Sequence, residues 1–313
     1  MTQNHYRLDA HQHYWDPART FPASGETWSL GGLSYAWQQA GLIELDRAFL
    51  PAELEPQLRH AGIDQSILVN VLHSAGETRW MLELAAAHDS IAGVVGWVDL
   101  RQAPEVIDAE LSALTQDSKL VGIRHLGEFE SDPRWLLRDD VIAGLEVLER
   151  RGLPFDLLLS VDQLELVPAL SERLPRLPMV IDHLAKPLIR QGVYEPWRSH
   201  LHAAASNPLV HCKLSGMVTE ADRQSWQTND LVPYVEAGLE AFGSQRVMYG
   251  SDWPVCTLAA TYAQVHRNLL DCLEQVAGGR EPLDEAGILA NNAVEFYGIR
   301  ARGCPNGDLQ PFP

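Results

Sequence analysis

Three observations predict an α/β fold, a single (β/α)₈ TIM barrel with a long loop after the first strand. Short apolar segments alternate with helical segments along nearly the whole sequence, and they number eight. Such alternation is typical of a parallel sheet whose faces are both covered. The 313 residues suit one barrel of this type. Because no break in composition divides them, we expect residues 1–313 to form one domain.

The predicted strands are short runs rich in apolar and β-branched residues, most of them bounded by polar or turn-forming residues. In chain order they cover 6–10, 65–72, 91–98, 120–125, 154–159, 179–183, 209–215 and 246–251. The predicted helices cover 51–61, 76–88, 104–114, 138–151, 162–174, 194–206, 230–242 and 257–276, with a final helix at 283–296.

Two of the connecting segments carry additional signals. Asp162 is a suitable N-cap for the helix predicted at 162–174. The segment 18–46 is long, irregular and rich in glycine, serine and aromatic residues. Loops of this length in compact domains are usually functional, so we expect a wall or lid over a pocket. A packed surface excursion is the alternative.

Composition limits the partners and the compartment. A net charge of −18 argues against nucleic acid or an anionic membrane as a partner. No apolar run approaches the roughly 18 residues of a membrane span, and the N-terminus has no secretion signal. Four cysteines without C-x-x-C spacing indicate free thiols in a reducing compartment: Cys212, Cys256, Cys272 and Cys304. We therefore expect a cytoplasmic protein acting on a small molecule, and a homo-oligomer is compatible with the sequence.

Polar residues gather at the carboxyl ends of the predicted strands, where barrels of this type carry their active sites. His11 and His13 follow the first strand two residues apart, so their rings point to the same side. Later strands end in or carry further polar residues: Arg124, His125, Asp156, Asp182, His183, His211, Lys213, Ser215 and Asp252. For any one of these residues taken alone, a buried structural role is the alternative to a functional one. Together they predict one polar site.

Four motifs resemble the lactonase branch of the amidohydrolase superfamily. They are D-A-H-Q-H-Y-W-D-P at 9–17, D-H-L-A-K-P at 182–187, K-L-S-G at 213–216 and G-S-D-W-P-V at 250–255. The resemblance extends over nearly the whole chain, from 8 to 297. It implies hydrolysis of a lactone, either an aldonic-acid lactone of sugar catabolism or a lactone of aromatic degradation. The motifs are more specific for the family than for one lactone.

The resemblance and the chemistry of ester hydrolysis together suggest roles for individual residues. Asp252 stands where the superfamily deprotonates the attacking water, which makes it the candidate general base. His183 is a candidate to polarise the carbonyl group or to share proton transfer. Candidates to hold the carbonyl oxygen, the alkoxide or sugar hydroxyls are Arg124, His125 and Lys213, with structural salt bridges as the alternative for Arg124 and Lys213.

Tryptophans are the candidates for an apolar face against a sugar ring. Trp28, Trp37 and Trp253 are the ones we assign to substrate binding, and Trp15 is a further candidate. Core packing is the alternative for each.

One divalent metal, most simply Zn²⁺, suits His11, His13 and Asp252, with His183 as a further ligand. Binuclear members of the superfamily add a lysine on strand four and histidines on strands five and six, and this sequence lacks both the lysine and the histidine of strand five. Two metals are therefore not expected. A site that needs no metal, in which the histidine pair binds substrate, remains the alternative.

We therefore expect a hydrolase that opens a sugar lactone such as L-fucono-lactone. The first alternative is a dicarboxylate lactonase, which the scarcity of arginines at strand ends disfavours, although Arg19, Arg79 and Arg190 lie on other segments. The second is a metal-dependent decarboxylase, against which the missing histidine of strand five counts. The third is a non-catalytic barrel, which would be expected to lose part of the His11, His13, His183 and Asp252 set.

Overall fold

A computed structural model describes residues 6–19, 21, 42–278 and 283–299. Eight strands form one sheet in sequential order, and each pairs with the next in parallel. They are β1 Leu8–Gln12, β2 Gln65–Val69, β3 Ile91–Gly96, β4 Leu120–His125, β5 Phe155–Leu157, β6 Met179–Ile181, β7 Val210–Leu214 and β8 Val247–Tyr249. The predicted (β/α)₈ barrel is confirmed.

The barrel closes through backbone hydrogen bonds between the end of β1 with the residue after it and the segment that follows β8. The His13 N–H donates to the Trp253 carbonyl at 2.7 Å, and the Asp252 N–H donates to the His11 carbonyl at 2.8 Å. This closure removes the sheet edges. It also fixes two histidines from the first strand against the aspartate that follows the last.

Helices connect the strands. They are α1 Pro51–Ala61, α2 Ala75–Ala87, α3 Pro104–Leu114, α4 Asp139–Arg151, α5 Val161–Leu164, α6 Val167–Arg173, α7 Trp197–Ala204, α8 Met217–Glu220, α9 Thr228–Phe242, α10 Tyr262–Ala277 and α11 Asn292–Phe296. A π-helical turn, Gly287–Asn291, leads directly into α11. Among the described helices, none is both long enough and apolar enough to cross a bilayer.

The helix predicted at 162–174 is two helices, α5 and α6. Pro168 lies in the first turn of α6 and has no N–H to continue the hydrogen-bond ladder of α5. The N-cap of α5 also differs from the predicted one. Ser160, rather than Asp162, caps α5, and its N–H donates to the side-chain oxygen of Gln163 at 3.1 Å.

The second strand is shorter than predicted because a side chain takes over its backbone bonds. It ends at Val69, and the N–H groups of Val71 and Leu72 donate to the buried carboxylate of Glu77 at 3.1 and 2.8 Å. The chain therefore turns into α2 instead of continuing along the sheet.

The amino-terminal end of the barrel is filled with apolar side chains. Residues of the π-helical turn and α11 pack against inward-facing residues of the strands, among them Leu8, Ile67, Val95, Val180 and Met248. The described cysteines, Cys212, Cys256 and Cys272, are buried free thiols, as expected. With this end closed, the polar residues collect at the opposite, carboxyl end.

Candidate active site

The histidine pair is positioned by β1 and by the carbonyl end of β2. His11 and His13 are buried, and their Nε2 atoms lie 3.2 Å apart. The Nδ1 of His13 lies 2.7 Å from the carbonyl oxygen of Val69. A carbonyl oxygen only accepts hydrogen bonds, so Nδ1 carries the proton and the Nε2 lone pair of His13 is free to face the site.

Asp252 projects into the same space from the turn that follows β8. Its φ of +57° lies in the left-handed region, which aspartate tolerates better than most residues. Its Oδ1 lies 3.3 Å from the Nε2 of His13, 3.8 Å from that of His183 and 4.0 Å from that of His11. Burial alone would raise the pKa of Asp252, but the nearby His183 and His13 rings outweigh it and lower this pKa. Asp252 is therefore ionised at neutral pH.

His183 reaches the site through an unusual stretch of backbone. Four consecutive residues, His183 to Lys186, have φ between +51° and +55°, although none is glycine. Such residues each cost on the order of 1–2 kcal/mol in the left-handed region. Packing holds the stretch in place, because Leu184 and Ala185 are fully buried and the Trp197 Nε1–H donates to the Leu184 carbonyl at 2.6 Å.

The ring of His183 is held by the end of β7. Its Nδ1 lies 2.8 Å from the Ser215 hydroxyl, which leaves Nε2 turned toward Asp252. A Cβ on Gly216 would lie 2.8 Å from this ring, so the position accepts glycine alone without a shift. Burial lowers the pKa of His183 to about 4, and the imidazole is neutral at pH 7.

Beneath the histidines lies a network of fully buried charges. Asp182 accepts hydrogen bonds from Arg124 Nη1 at 3.1 Å and makes an ion pair with Lys213 Nζ at 3.0 Å. Lys213 also donates to Asp156 at 2.5 Å, and the Tyr297 hydroxyl donates to the same carboxylate at 2.8 Å. Arg124 and Lys213 thus form structural salt bridges, the role that the sequence analysis gave as the alternative to substrate binding. Lys213 lies below the cavity, while Arg124 also lines it.

The structure does not bring His125 together with Asp252 and His183. Neighbouring side chains on a strand point to opposite faces, so Arg124 faces into the barrel and His125 faces out. The His125 ring is stacked between His73 and Trp135, with centroids 4.1 and 3.7 Å away. Its Nε2 lies 2.8 Å from a carboxylate oxygen of Glu130. We therefore withdraw His125 both as a catalytic residue beside Asp252 and His183 and as a candidate to hold the carbonyl oxygen, the alkoxide or sugar hydroxyls.

The tryptophans assigned to substrate binding need a similar correction. Trp253 is 1% exposed and packs edge-on against Tyr14 and Phe49, which is the core role given as its alternative. Trp15 is likewise fully buried against Phe49. Trp28 and Trp37 lie outside the described residues.

A cavity of about 290 Å³ opens above the site, and His13, Arg124, His183 and Asp252 line its floor. The apolar lining residues, here called the apolar wall, are Leu42, Leu45, Val71, Leu126, Phe129, Leu158, Val255 and Leu258. The polar lining residues above the floor, here called the polar wall, are Glu128, Lys186, Thr219, Glu220 and Arg223. Leu42 and Leu45 belong to the segment after β1, so its described end forms part of a pocket wall, as predicted.

A family model described as Amidohydrolase matches residues 8–299, nearly the whole length of the chain. The chain belongs to the amidohydrolase family. This confirms the resemblance seen in the four motifs.

Two relatives of this amidohydrolase are L-fucono-1,5-lactonases. That of Burkholderia ambifaria is 34% identical over 306 residues, covering 97% of this chain and 98% of the relative. That of Burkholderia multivorans is 38% identical over 269 residues, covering 83% and 86%. A crystal structure of an amidohydrolase from Burkholderia multivorans with bound zinc is 34% identical, with a TM-score of 0.81, and the match covers 94% of this chain and 99% of that one.

The donor atoms of this amidohydrolase fit a single divalent metal. Four ligands around Zn²⁺ lie about 3.3–3.4 Å apart when its bonds are about 2.0–2.1 Å long. The separations of 3.2 Å between His11 and His13 and of 3.3 Å between His13 and Asp252 match this geometry, and the 4.0 Å between His11 and Asp252 is longer than it requires. His183 lies close enough to contribute, since one donor atom each of His11, His183 and Asp252 falls within 4.8 Å of the others. Asp182, 3.3 Å from His11 Nδ1, can orient that ring from behind.

The second cluster of possible ligands is less suited to a metal. It contains His73, His125 and Glu130. The His125 Nδ1 accepts a hydrogen bond from Trp97 at 3.2 Å and its Nε2 is bonded to Glu130, so both ring nitrogens are engaged. The His73 Nε2 accepts the N–H of Leu126 at 3.1 Å.

Sequence reasoning missed the polar wall. Glu128, Thr219, Glu220 and Arg223 lie on segments that follow β4 and β7, several residues beyond the strand ends. A survey confined to the strand ends cannot reach them. Lys186 was part of a quoted motif but had no assigned role, because the left-handed turn that directs it to the cavity has no recognisable sequence signal.

Proposed function

We propose that this amidohydrolase is a lactonase that opens an aldonic-acid lactone by attack of water on the carbonyl carbon, with L-fucono-1,5-lactone as the first candidate. The observation that carries the proposal is the match to two L-fucono-1,5-lactonases over most of their length at 34% and 38% identity. The arrangement at the cavity floor supports it, because a buried carboxylate, neutral imidazoles and a cation suit ester hydrolysis.

Asp252 is the proposed general base. It lines the cavity and stays ionised at neutral pH, so it can remove a proton from a water molecule held against the lactone carbonyl. The ring oxygen must gain a proton as the ring opens, and the same carboxyl group can return the one that it took. One residue thereby serves both halves of the reaction.

His183 and Arg124 are proposed to stabilise the carbonyl oxygen as it becomes negative. His183 is neutral and turns Nε2 into the cavity, where its Nε2–H tautomer can donate a hydrogen bond. The Arg124 guanidinium, fixed by Asp182, adds a permanent positive charge at the cavity floor. Donors and charges held in place before the reaction stabilise the developing oxyanion without reorganisation.

We infer that one divalent metal, with Zn²⁺ as first candidate, is held by His11, His13 and Asp252, with His183 beside them. When bound, such a metal lowers the pKa of the attacking water and polarises the carbonyl group. The zinc in the Burkholderia multivorans structure and the ligand spacing support this inference. A response to chelation will decide whether turnover requires the metal.

We further propose that the enzyme acts in the cytoplasm, in carbohydrate catabolism. The buried free thiols Cys212, Cys256 and Cys272 support a reducing compartment. Whether the protein forms a homo-oligomer is a matter for light scattering coupled to size-exclusion chromatography.

The test is a pH-indicator assay of the purified protein, with and without a chelator. The panel contains L-fucono-, L-galactono-, D-arabinono- and L-rhamnono-lactones and 2-pyrone-4,6-dicarboxylate. We expect acid release from one or more of the sugar lactones. Turnover of the pyrone dicarboxylate alone would shift the function to the dicarboxylate lactonase, and no turnover at all would overturn the proposal.

A further inference from the structure

The polar wall brings together side chains from three separate segments. The Lys186 Nζ donates to Glu128 Oε1 at 2.5 Å, which joins the segment after β4 to the left-handed turn after β6. Glu220, at the end of α8, and Arg223 complete the wall from the segment after β7. This wall lies in the same cavity as Asp252 but has no part in the proposed chemistry.

Glu220 is half-buried, and its carboxyl oxygens have no hydrogen-bond partner among the residues that the structure describes. Burial raises the pKa of Glu220, and the carboxylates of Glu128 and Asp252 add to this effect, while Lys186 and Arg223 oppose it. A partly desolvated acceptor is stabilised when it receives a hydrogen bond. The cavity therefore presents an acceptor that a ligand with hydroxyl groups can satisfy.

The charges along the cavity favour a neutral ligand over an anionic one. Lys186 is paired with Glu128, and Arg124 is paired with Asp182. A dicarboxylate would therefore have to compete with the carboxylates that hold Lys186 and Arg124, and Glu128, Glu220 and Asp252 would repel it, while exposed Arg223 is the lining cation that would attract it. The lining combines the leucines of the apolar wall with the charged groups of the polar wall, so a ring with apolar faces and hydroxyl groups along its edge finds both kinds of contact.

We propose that Glu220, together with the Glu128–Lys186 pair, binds the ring hydroxyls of the substrate and makes the enzyme selective for neutral polyhydroxylated lactones. This inference rests on the proposed function, because it assigns hydroxyl recognition to the cavity in which the lactone is opened. It places specificity on residues that do not touch the reacting carbonyl.

The experiment compares Glu220→Ala with the wild-type enzyme on two lactones with six-membered rings. L-fucono-1,5-lactone carries ring hydroxyls, and δ-valerolactone carries none. Since hydrogen bonds to charged groups contribute about 10- to 100-fold each, we expect the ratio of kcat/KM for the sugar lactone to kcat/KM for valerolactone to fall at least about tenfold. The loss should lie mainly in KM. Exposed Glu165 supplies the matched control, and Glu165→Ala should leave the ratio unchanged.

A second variant, Glu128→Gln, breaks the ion pair and should lower the same ratio, which keeps the test usable if Glu220→Ala folds poorly. Suppose that the wild-type enzyme turns over the sugar lactone and that both variants keep the ratio of kcat/KM values within twofold of the wild-type ratio. This result would overturn the inference and leave the proposed function standing. A wild-type enzyme that is inactive on every sugar lactone would overturn the proposed function, and this inference with it.

Discussion

Replacing Gly216 by alanine should damage the enzyme in two separable ways. The new Cβ would lie 2.8 Å from the His183 ring, whereas ordinary carbon contacts are about 3.5–4.0 Å, so the ring must move by several tenths of an ångström or more. Overpacking of this kind costs about 1–3 kcal/mol, and alanine at the Gly216 φ of +67° adds about 1–2 kcal/mol. We expect the free energy of unfolding to fall by about 2–5 kcal/mol.

The activity should fall as well, because the displaced ring is the one that faces Asp252. Misplacement of a reacting group by about 1 Å can cost about 100-fold in rate, and we expect kcat to fall by between one and two orders of magnitude. Gly152 offers a matched control, since its φ is +62° and a Cβ there meets nothing within 4 Å. Gly152→Ala should show the backbone cost in urea denaturation and leave kcat unchanged.

The comparison of these two alanine variants tests the role of His183 directly. Wild-type kcat in Gly216→Ala would refute the reasoning that the position of this ring matters for turnover. Equal stability losses in the two variants would refute the steric part of the argument and leave only the backbone cost.

Four further predictions concern the buried groups. Asp252→Asn should lower kcat by about 10²- to 10⁴-fold with a native circular dichroism spectrum, and near-wild-type kcat would contradict the general-base assignment. His11→Ala combined with His13→Ala should abolish bound metal in elemental analysis, and unchanged stoichiometry would place the ligands elsewhere. Lys213→Met leaves buried carboxylates without their cation and should lower the free energy of unfolding by about 3–5 kcal/mol in urea denaturation; a smaller loss would mean that they protonate instead. Burial lowers the pKa of His211 to about 4 in the folded state, so the unfolded state binds the extra proton and stability is lost as pH falls from about 6.5 to 4. The free energy of unfolding of His211→Asn should therefore fall by about 3 kcal/mol less than that of the wild type over this pH range. Curves of unfolding free energy against pH that run parallel for the two proteins would contradict this expectation.

The barrel was predictable because its determinants are local. A run of buried strand residues followed by an amphipathic helix can be read directly from the sequence, and eight repeats leave few other arrangements. Element ends were less predictable, since they depend on side-chain bonds such as those from the N–H groups of Val71 and Leu72 to Glu77, six and five residues further along the chain. No hydrophobic pattern indicates that a carboxyl group will take the place of a neighbouring strand.

The composition of the site was predictable to the extent that the strand ends and the motifs define it. His11, His13, His183 and Asp252 do converge, because the carboxyl ends of parallel strands meet at one end of the barrel. The placement of His125 followed from a rule that was available in the sequence, since two adjacent residues of one strand cannot both face the interior. The polar wall depends on the conformation of loops, and loops have no regular alternation of side chains from which their orientation could be predicted.

The buried cation Lys213 illustrates how a residue can act on a site without lining its cavity. Burial lowers the pKa of His11 well below its usual value, and the nearby Lys213 ammonium lowers it further, while Asp182 opposes both. His11 is therefore neutral at pH 7, as a metal ligand or a hydrogen-bond acceptor must be. Lys213 and Arg124 are in turn held by Asp182, so one carboxylate aligns both cations under the histidine. The sequence suggested that both cations bind substrate. The contacts of Lys213 favour a different role, in which it sets the protonation state and orientation of His11, whereas Arg124 also lines the cavity.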